Sequence, residues 1–224
     1  MVRAELAGRG WSSARDAPPT ADVVLLRHGD TRLTPERRFS GVGRGDPGLS
    51  ATGRDQVRRA ADSALVQGGT FAEILTSPMR RCQETAEILS AAVGVPVSID
   101  RDLREMDFGR WEELTFDEVQ DRYPEDLRRW QQSASVPPTG STESFAALLD
   151  RMGTVAERLA SRYAAASVLA VTHITPVKAL VAHALGAPPA ALFHMELSSA
   201  CFSRISYTGG DASVRLLNDT SHLD

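Results

Sequence analysis

Two four-residue apolar runs, each leading into polar residues that include a histidine, constrain the fold of this chain more than any other feature. The first run covers residues 23–26 and leads into Arg27 and His28, and the second covers residues 168–171 and leads to His173. Short continuous apolar runs are typical of strands that are buried on both faces of a sheet covered by helices. In open sheets of this kind, ligands bind beyond the carboxyl ends of the strands. The runs therefore predict that both histidines face one site.

Segments with strand and helix patterns alternate along the rest of the chain. Further strands are predicted at residues 71–76, 200–207 and 214–217. Helices are predicted from N-capping residues and apolar spacing at residues 50–66, 77–94, 144–163 and 175–185, with a short helix opening at a Thr115/Glu118 capping box. This alternation predicts the fold class α/β, as a three-layer α/β/α sandwich with a mostly parallel central sheet. The loop from Thr31 and the insertion around residues 103–142 are expected to cover the carboxyl edge of that sheet.

Length and composition favour one large domain in a cytoplasmic protein. The chain has 224 residues, of which 42% are hydrophobic. Residues 1–21 contain glycine, serine and proline and are predicted to be a flexible N-terminal segment or a linker remnant, with the folded domain at residues 22–224. No apolar run approaches the roughly 20 residues that span a bilayer, and the first residues lack the apolar core of a signal peptide. These features predict cytoplasmic localisation.

Charge and cysteine content narrow the classes of function. The formal net charge of −4 excludes a general nucleic-acid coat protein. Among the 25 lysines and arginines only Lys178 is a lysine, and arginine suits bidentate contacts with phosphate. The two cysteines and five histidines show no spacing typical of metal ligands, so no metal is predicted. The arginines of the loop after the first strand either form a solvated run or guide an anionic substrate: Arg32, Arg37, Arg38 and Arg44.

Four motifs, in order along the chain, resemble those of the histidine phosphatase superfamily, which includes the cofactor-dependent phosphoglycerate mutases. They are Arg27-His28-Gly29, Ser77-Pro78 with Arg81, Leu103-Arg104-Glu105 with Phe108-Gly109, and Val171-Thr172-His173. The resemblance extends over nearly the whole predicted domain. It implies a phosphoglycerate mutase-like fold and phosphomonoester hydrolysis through a phosphohistidine intermediate, without a cofactor or metal.

The resemblance also implies roles for individual residues. His28 corresponds to the nucleophile, and Glu105 to the general acid and later base, although Asp107 and Glu112 lie close enough in sequence to compete for that role. Three further residues are implied donors to the phosphoryl group: Arg27, Arg81 and His173. Five are implied in substrate binding: Gly29, Thr34, Ser40, Gly41 and Ile174. Among these, Gly29 is expected to let the backbone pass close to the bound phosphate.

Two phrases resemble one branch of the superfamily more closely. Residues 38–41, Arg-Phe-Ser-Gly, and residues 173–178, His-Ile-Thr-Pro-Val-Lys, are similar to the acid phosphatase domain that follows an RNase H domain in actinobacterial two-domain proteins. That domain is itself similar to α-ribazole phosphatases. The resemblance implies a small phosphomonoester as substrate, with no membrane or direct nucleic-acid partner. Fusion to an RNase H domain and a homodimer through an exposed C-terminal edge strand are further hypotheses.

Two other functions stay open at this point. A phosphoglycerate mutase would share the first chemical step but pass the phosphoryl group back to a sugar acid. A non-catalytic module would bind a phosphorylated ligand without cleaving it, and such a module would not need both His28 and Glu105. The sequence favours the phosphatase over both.

Overall fold

A computed structural model describes residues 18–43 and 45–224 of the chain. Within these residues, six strands and seven α-helices alternate. They are β1 (Thr20–Arg27), α1 (Ala51–Asp62), α2 (Ala64–Gln67), β2 (Phe71–Thr76), α3 (Arg80–Val93), β3 (Val97–Ile99), α4 (Phe116–Arg122), α5 (Pro124–Gln132), α6 (Phe145–Arg162), β4 (Ser167–Thr172), α7 (Ile174–Leu185), β5 (Phe202–Thr208) and β6 (Asp211–Asp219).

The strands form one mixed sheet in the order β3-β2-β4-β1-β5-β6. The first four strands of this order are parallel, and β5 and β6 are antiparallel to their neighbours. Helices cover both faces, since one buried core includes residues of α6 and α7 and the other includes residues of α1 and α3. The predicted three-layer α/β fold is confirmed.

The two apolar runs are the central strands β1 and β4, which pair side by side. Val23 and Leu25 lie in the core beneath α6 and α7, whereas Val24 and Leu26 lie in the core beneath α1 and α3. Successive side chains of a strand point to opposite faces. Each residue of the run therefore enters one of two buried layers, which explains why the run is continuous and not alternating.

The pairing register of these strands sets the position of both histidines. Arg27 is opposite Thr172 in the parallel ladder, so the next residue of each strand leaves the sheet at the same edge. His28 and His173 are those residues, and their ring centroids are 5.1 Å apart. The prediction that the two strand ends meet is confirmed.

Two helix boundaries differ from the prediction. The helix expected at residues 50–66 breaks at Ser63, which ends α1 and caps α2 by accepting a hydrogen bond from the backbone of Val66. Ser77 is not the N-cap of α3, because the helix begins at Arg80 after Met79 and the Ser77 hydroxyl instead contacts His173. The same hydroxyl accepts a hydrogen bond from the backbone of Met79 at 3.3 Å, so Ser77 stabilises the turn before the helix and not its first turn.

Three further features lie outside what the patterns indicated. The three-residue strand β3 is too short to show a period, and α5 begins with Pro124 directly after α4. Most of the predicted lead-in, residues 1–21, falls outside the described residues. Its last two residues belong to β1, where Ala21 is fully buried.

Gly29 follows β1 and packs against α1, and replacing it with alanine is expected to destabilise the fold. A Cβ there would lie 2.4 Å from the carbonyl oxygen of Gly53 and 2.9 Å from a methyl group of Val57. Overpacking of this kind typically costs about 1–3 kcal/mol. We expect the free energy of unfolding of Gly29→Ala, measured by denaturant titration, to fall by about 2 kcal/mol or more.

A second glycine serves as the control for that measurement. Gly153 lies inside α6, and a Cβ there would meet only the His183 ring at an ordinary 3.5 Å. Since alanine is favoured over glycine in a helix interior, Gly153→Ala should stabilise the protein by up to about 1 kcal/mol. Equal unfolding free energies for Gly29→Ala and the unmodified protein would show that the contact between Gly29 and α1 can relax without loss of stability.

Candidate active site

A pocket of about 580 Å³ opens at the carboxyl edge of the sheet, beside the end of β1. Its walls come from the loop after β1, from Glu105, and from residues of α5, α6, α7 and the short 3-10 helix Pro189–His194. Of the ten residues that the sequence placed in the site, six line this pocket: Arg27, His28, Thr34, Ser40, Glu105 and Ile174. Arg81, His173, Gly29 and Gly41 do not.

The hydrogen bonds of His28 define its tautomer. Its Nδ1 lies 2.7 Å from the carbonyl oxygen of Gly29, which can only accept, so Nδ1 carries the proton and donates a hydrogen bond to that oxygen. Its Nε2 accepts a hydrogen bond from Nε of Arg81 at 3.3 Å. Burial, reinforced by the positive charges of Arg81 and Arg27, holds the pKa of His28 well below its usual range. His28 is therefore a neutral imidazole with a lone pair on Nε2.

Arg81 and His173 form a fully buried layer behind His28. The Arg81 guanidinium also donates to the carbonyl oxygens of Ser40 and Gly41, at 2.9 and 3.2 Å. Nε2 of His173 lies 2.7 Å from the hydroxyl of Ser77. Burial is the main cause that holds the pKa of His173 well below its usual range, followed by the charge of Arg81. The layer places a cation and a second neutral imidazole beside His28.

Arg27 and Glu105 both border the pocket, one as a cation and the other as a carboxyl group. Arg27 donates to the carbonyl oxygen of Leu197 at 2.6 Å, while its buried Nε has no partner among the described residues. The Glu105 carboxyl group is 3% exposed and accepts hydrogen bonds from the backbone of Met106 at 2.8 Å and of Thr175 at 3.4 Å. Burial raises the pKa of Glu105, although these bonds oppose the shift. The site therefore pairs an undersatisfied cation with a carboxyl group biased toward its acid form.

The two carboxylates that competed with Glu105 in the sequence have structural contacts instead. Glu112 accepts hydrogen bonds from the backbone of Gly41 at 2.9 Å and of Gly43 at 3.2 Å. Asp107 accepts one from the backbone of Gly109 at 2.9 Å. Neither carboxylate lines the pocket. Their hydrogen bonds hold loops in place, which leaves Glu105 as the carboxyl group of the three that faces the pocket.

The glycines of the predicted site act through packing. Gly29 does not line the pocket, and a side chain there would collide with the α1 backbone, while its expected closeness to a bound phosphate stays a prediction. A Cβ on Gly41 would lie 2.2 Å from the carbonyl oxygen of Met106. Both glycines thus allow close contact between backbone segments that position Arg81 and His28.

The loop arginines differ in their contacts. Arg32 pairs with Glu113 at 2.5 Å, and Arg38 pairs with Glu36 and Glu118 at 2.7 Å each. Arg37 lines the pocket, is exposed, and has no side-chain partner among the described residues, and Arg44 lies outside those residues. The solvated interpretation holds for Arg32, whereas Arg37 is placed where it could attract an anion.

One wall of the pocket is aromatic. Phe193 is 55% exposed and contacts the edges of Trp130 and Phe145, with ring centroids 5.7 and 5.4 Å apart. Leu192 lies beside them in the same pocket. Sequence reasoning missed this wall because its members come from α5, α6 and the 3-10 helix, which are distant in sequence. Thr175 and Lys178 were also missed as pocket residues.

The two buried histidines predict a pH-dependent stability. In the unfolded chain each histidine binds a proton as the pH falls through about 6.5, whereas the folded chain keeps both neutral. The unfolded state then binds more protons, so stability falls with falling pH by up to about 1.4 kcal/mol per pH unit per histidine. We expect the unfolding free energy to decrease from pH 7 to pH 5, and to decrease less steeply in His28→Gln and His173→Gln. Identical slopes in all three proteins would contradict the assignment.

None of the helices in the described part of the chain is long and apolar enough to cross a membrane. Between residues 18 and 224, leaving out position 44, no three histidine, cysteine, aspartate or glutamate side chains converge in a way that could hold a metal ion.

Comparison with known proteins gives consistent relatives. The "Bifunctional protein Rv2228c" of Mycobacterium tuberculosis is 42% identical over 216 residues, which is 96% of this chain but 57% of that protein. The "Probable phosphoglycerate mutase GpmB" of Klebsiella pneumoniae is 34% identical, and the match covers 90% of this chain and 94% of that protein. The crystal structure of the α-ribazole phosphatase from Shigella flexneri superposes with a TM-score of 0.78 at 27% identity, covering 89% and 96% of the two chains.

The family assignment rests on the extent of the match. The chain spans less than two thirds of the length of the mycobacterial relative, so the similarity concerns one part of that protein. A family model described as "Histidine phosphatase superfamily (branch 1)" matches residues 23–220, from β1 to the end of β6. This stretch contains every strand-end and loop residue that forms the pocket. The chain therefore belongs to the histidine phosphatase superfamily.

Proposed function

We propose that this protein hydrolyses phosphomonoesters through a phosphohistidine formed on Nε2 of His28. The observation that carries the proposal is the state of this imidazole. Nδ1 is tied to the Gly29 carbonyl oxygen, and Nε2 keeps its lone pair while a guanidinium lies beside it. A neutral, oriented imidazole with an adjacent cation is suited to attack a phosphoryl group.

The proposed reaction has two displacements. In the first, the Nε2 lone pair attacks phosphorus, the P–N bond forms, the ester P–O bond breaks, and the leaving oxygen takes the proton of Glu105. In the second, water attacks phosphorus, its proton passes to the Glu105 carboxylate, and the P–N bond breaks to release orthophosphate and neutral His28. The raised pKa of Glu105 supports its role as the acid of the first step.

The cations around His28 support binding of the phosphoryl group. Arg27 has an unpartnered Nε that a phosphoryl oxygen would satisfy. Thr175 is the second residue of α7, and the N-terminal end of a helix favours anions. Thr34, Ser40 and Ile174 line the same pocket and are proposed substrate contacts.

At a finer level, we propose an acid phosphatase of broad specificity or one with an α-ribazole-phosphate-like substrate. The similarity to the Shigella α-ribazole phosphatase supports the second possibility. A mutase is the alternative that the Klebsiella relative favours, because it shares the fold and the family. A non-catalytic binding module is not favoured, since the neutral nucleophile and the buried acid serve no purpose in binding alone.

One set of assays separates these functions. The protein is incubated with p-nitrophenyl phosphate, 3-phosphoglycerate and a panel of phosphomonoesters, and orthophosphate and 2-phosphoglycerate are measured. Orthophosphate release supports the phosphatase, isomerisation without release supports the mutase, and inactivity on the whole panel supports the binding module. An alkaline quench preserves phosphohistidine and reports the intermediate directly.

Three hypotheses about the cellular context stay predictions. The mycobacterial relative is described as bifunctional and is longer than the matched region, which supports the proposed fusion to an RNase H domain. Sequencing the gene upstream of this region tests it. The strand β6 lies at the edge of the sheet, where a second copy could pair, and sedimentation of the purified protein tests the homodimer. Cell fractionation tests the cytoplasmic localisation.

A further inference from the structure

Lys178 lines the pocket but has no part in the reaction described above. It is the one lysine of the chain. The neighbouring residues of α7, such as Val177, Ala179 and Leu180, are buried in the core. Lys178 is half-buried and borders the pocket together with Ile174 and Thr175 of the same helix. A buried helix thus presents a single cation to the pocket.

The ammonium of Lys178 lacks a partner within the described part of the chain. No carboxylate there lies within 4 Å of it, and it donates no hydrogen bond to those residues. Burial lowers the pKa of Lys178, and the charge of Arg27 adds to that effect, whereas Glu105 and Glu196 oppose it. A partly desolvated cation without a partner is unfavourable, so an anionic ligand group at this position would gain binding free energy.

The cations already at the phosphoryl end favour a contact between Lys178 and the leaving group. Arg27 and the first turn of α7 are available to the phosphoryl oxygens, so Lys178 is a further cation in the same pocket. The aromatic wall of Trp130, Phe145 and Phe193 lines that pocket too. A group that contacts both would have an apolar body and an acidic substituent.

We propose that Lys178 is a specificity-determining residue, which binds an oxyanion on the leaving group and thereby selects phosphomonoesters of apolar alcohols that carry an acidic group such as a carboxylate. The proposal rests on the proposed function, because it concerns the substrate of the same site. It assigns to the pocket two recognition elements beyond the phosphoryl end: an apolar surface and one charge.

A matched pair of substrates tests the proposal. Benzyl phosphate and its 3- and 4-carboxy derivatives have the same ester type and ring and differ in the carboxylate. We expect the unmodified protein to prefer a carboxylated ester in kcat/KM by about tenfold or more, the effect of one hydrogen bond to a charged group. Lys178→Met should remove the preference, mainly through KM, and Lys178→Arg should restore part of it. Arg58→Met, at an exposed arginine of α1, is the control and should keep the preference.

The outcomes distinguish this proposal from the proposed function. An unchanged preference in Lys178→Met overturns the proposal. An equal loss on all three esters, with weaker inhibition by orthophosphate, also overturns it, because Lys178 would then contact the phosphoryl group. Failure of the unmodified protein to hydrolyse any ester, including p-nitrophenyl phosphate, overturns the proposed function itself and this proposal with it.

A second measurement does not depend on a Lys178 variant. Since Lys178 is the single lysine, acylation by acetic anhydride can be followed at one side chain by peptide mass spectrometry. In a His28→Ala background, which prevents turnover, 4- or 3-carboxybenzyl phosphate should slow acylation of Lys178 severalfold more than benzyl phosphate at equal occupancy. Equal protection by all three esters would overturn the proposal.

Discussion

Replacing His28 with alanine is expected to lower kcat for phosphomonoester hydrolysis by on the order of 10⁴-fold or more, the scale seen when a covalent nucleophile is removed. His28 lines the pocket, and in the tautomer that Gly29 imposes its Nε2 carries a lone pair that Nε of Arg81 contacts at the long distance of 3.3 Å. No neighbouring group can replace it, because His173 is fully buried behind it and bonded to Ser77. Steady-state assays with p-nitrophenyl phosphate measure the loss.

The intermediate provides the sharper readout for this variant. The alkali-stable phosphoenzyme formed by the unmodified protein should be absent from His28→Ala. The control is His183→Ala, because His183 lies at the exposed end of α7 and does not line the pocket. A His28→Ala protein that still forms phosphohistidine would move the nucleophile to another residue.

Replacing Glu105 with glutamine is expected to slow hydrolysis of alkyl phosphates by about 10²- to 10⁴-fold, the usual contribution of a positioned general acid. The loss should be much smaller in the first step with p-nitrophenyl phosphate, because p-nitrophenolate leaves without a proton. Breakdown of phosphohistidine still needs the base. Glu105→Gln should therefore release about one equivalent of p-nitrophenol in a burst and accumulate phosphoenzyme.

A neighbouring carboxylate is the matched control for Glu105. Asp107 accepts a hydrogen bond from the backbone of Gly109 and does not line the pocket. Any loss of activity in Asp107→Asn should therefore be the same for all leaving groups. A uniform loss for Glu105→Gln across all leaving groups would contradict its role as the acid. A burst in Asp107→Asn instead would transfer the role to that residue.

The burial of Glu105 has a second consequence for stability. Its pKa is raised in the folded protein, so the unfolded chain releases its proton at lower pH than the folded chain does. Stability is therefore lost as the pH rises from the unfolded pKa through the folded one. Because the two buried histidines act in the opposite direction, the unfolding free energy of Glu105→Gln should rise more steeply with pH in this range than that of the unmodified protein. A catalytic acid that destabilises the fold is typical of a functional site.

Local sequence patterns were sufficient for the core of the fold and for the meeting of the two strand-end histidines. The two four-residue runs could be recognised as central strands because each residue of such a strand is buried on one face or the other. The histidines after them were predicted to meet because parallel strands share an edge. The resemblance added Arg81, which donates a hydrogen bond to His28, and Glu105, which lines the pocket. These features depend on short stretches of chain, each readable by itself.

Other parts of the site depend on contacts between distant segments. Ser77 looked like a helix cap, and its partner His173 lies 96 positions further along the chain. Gly29 likewise lies against Gly53 of α1. The fold decides which distant segments come together, and a local pattern carries no information about that distance.

The sequence by itself determined the three-layer α/β fold and the pair of strand-end histidines that meet at one edge, because burial on both faces of a strand is a local property. Only the tertiary structure decided which nitrogen of His28 carries the proton, which of three acidic residues faces the pocket, and that an aromatic wall and the single lysine border it. Those properties arise from the packing of α5, α6, α7 and the Pro189–His194 helix around one strand end. Hydrogen bonds and desolvation act over a few ångströms, so they are settled when the segments meet.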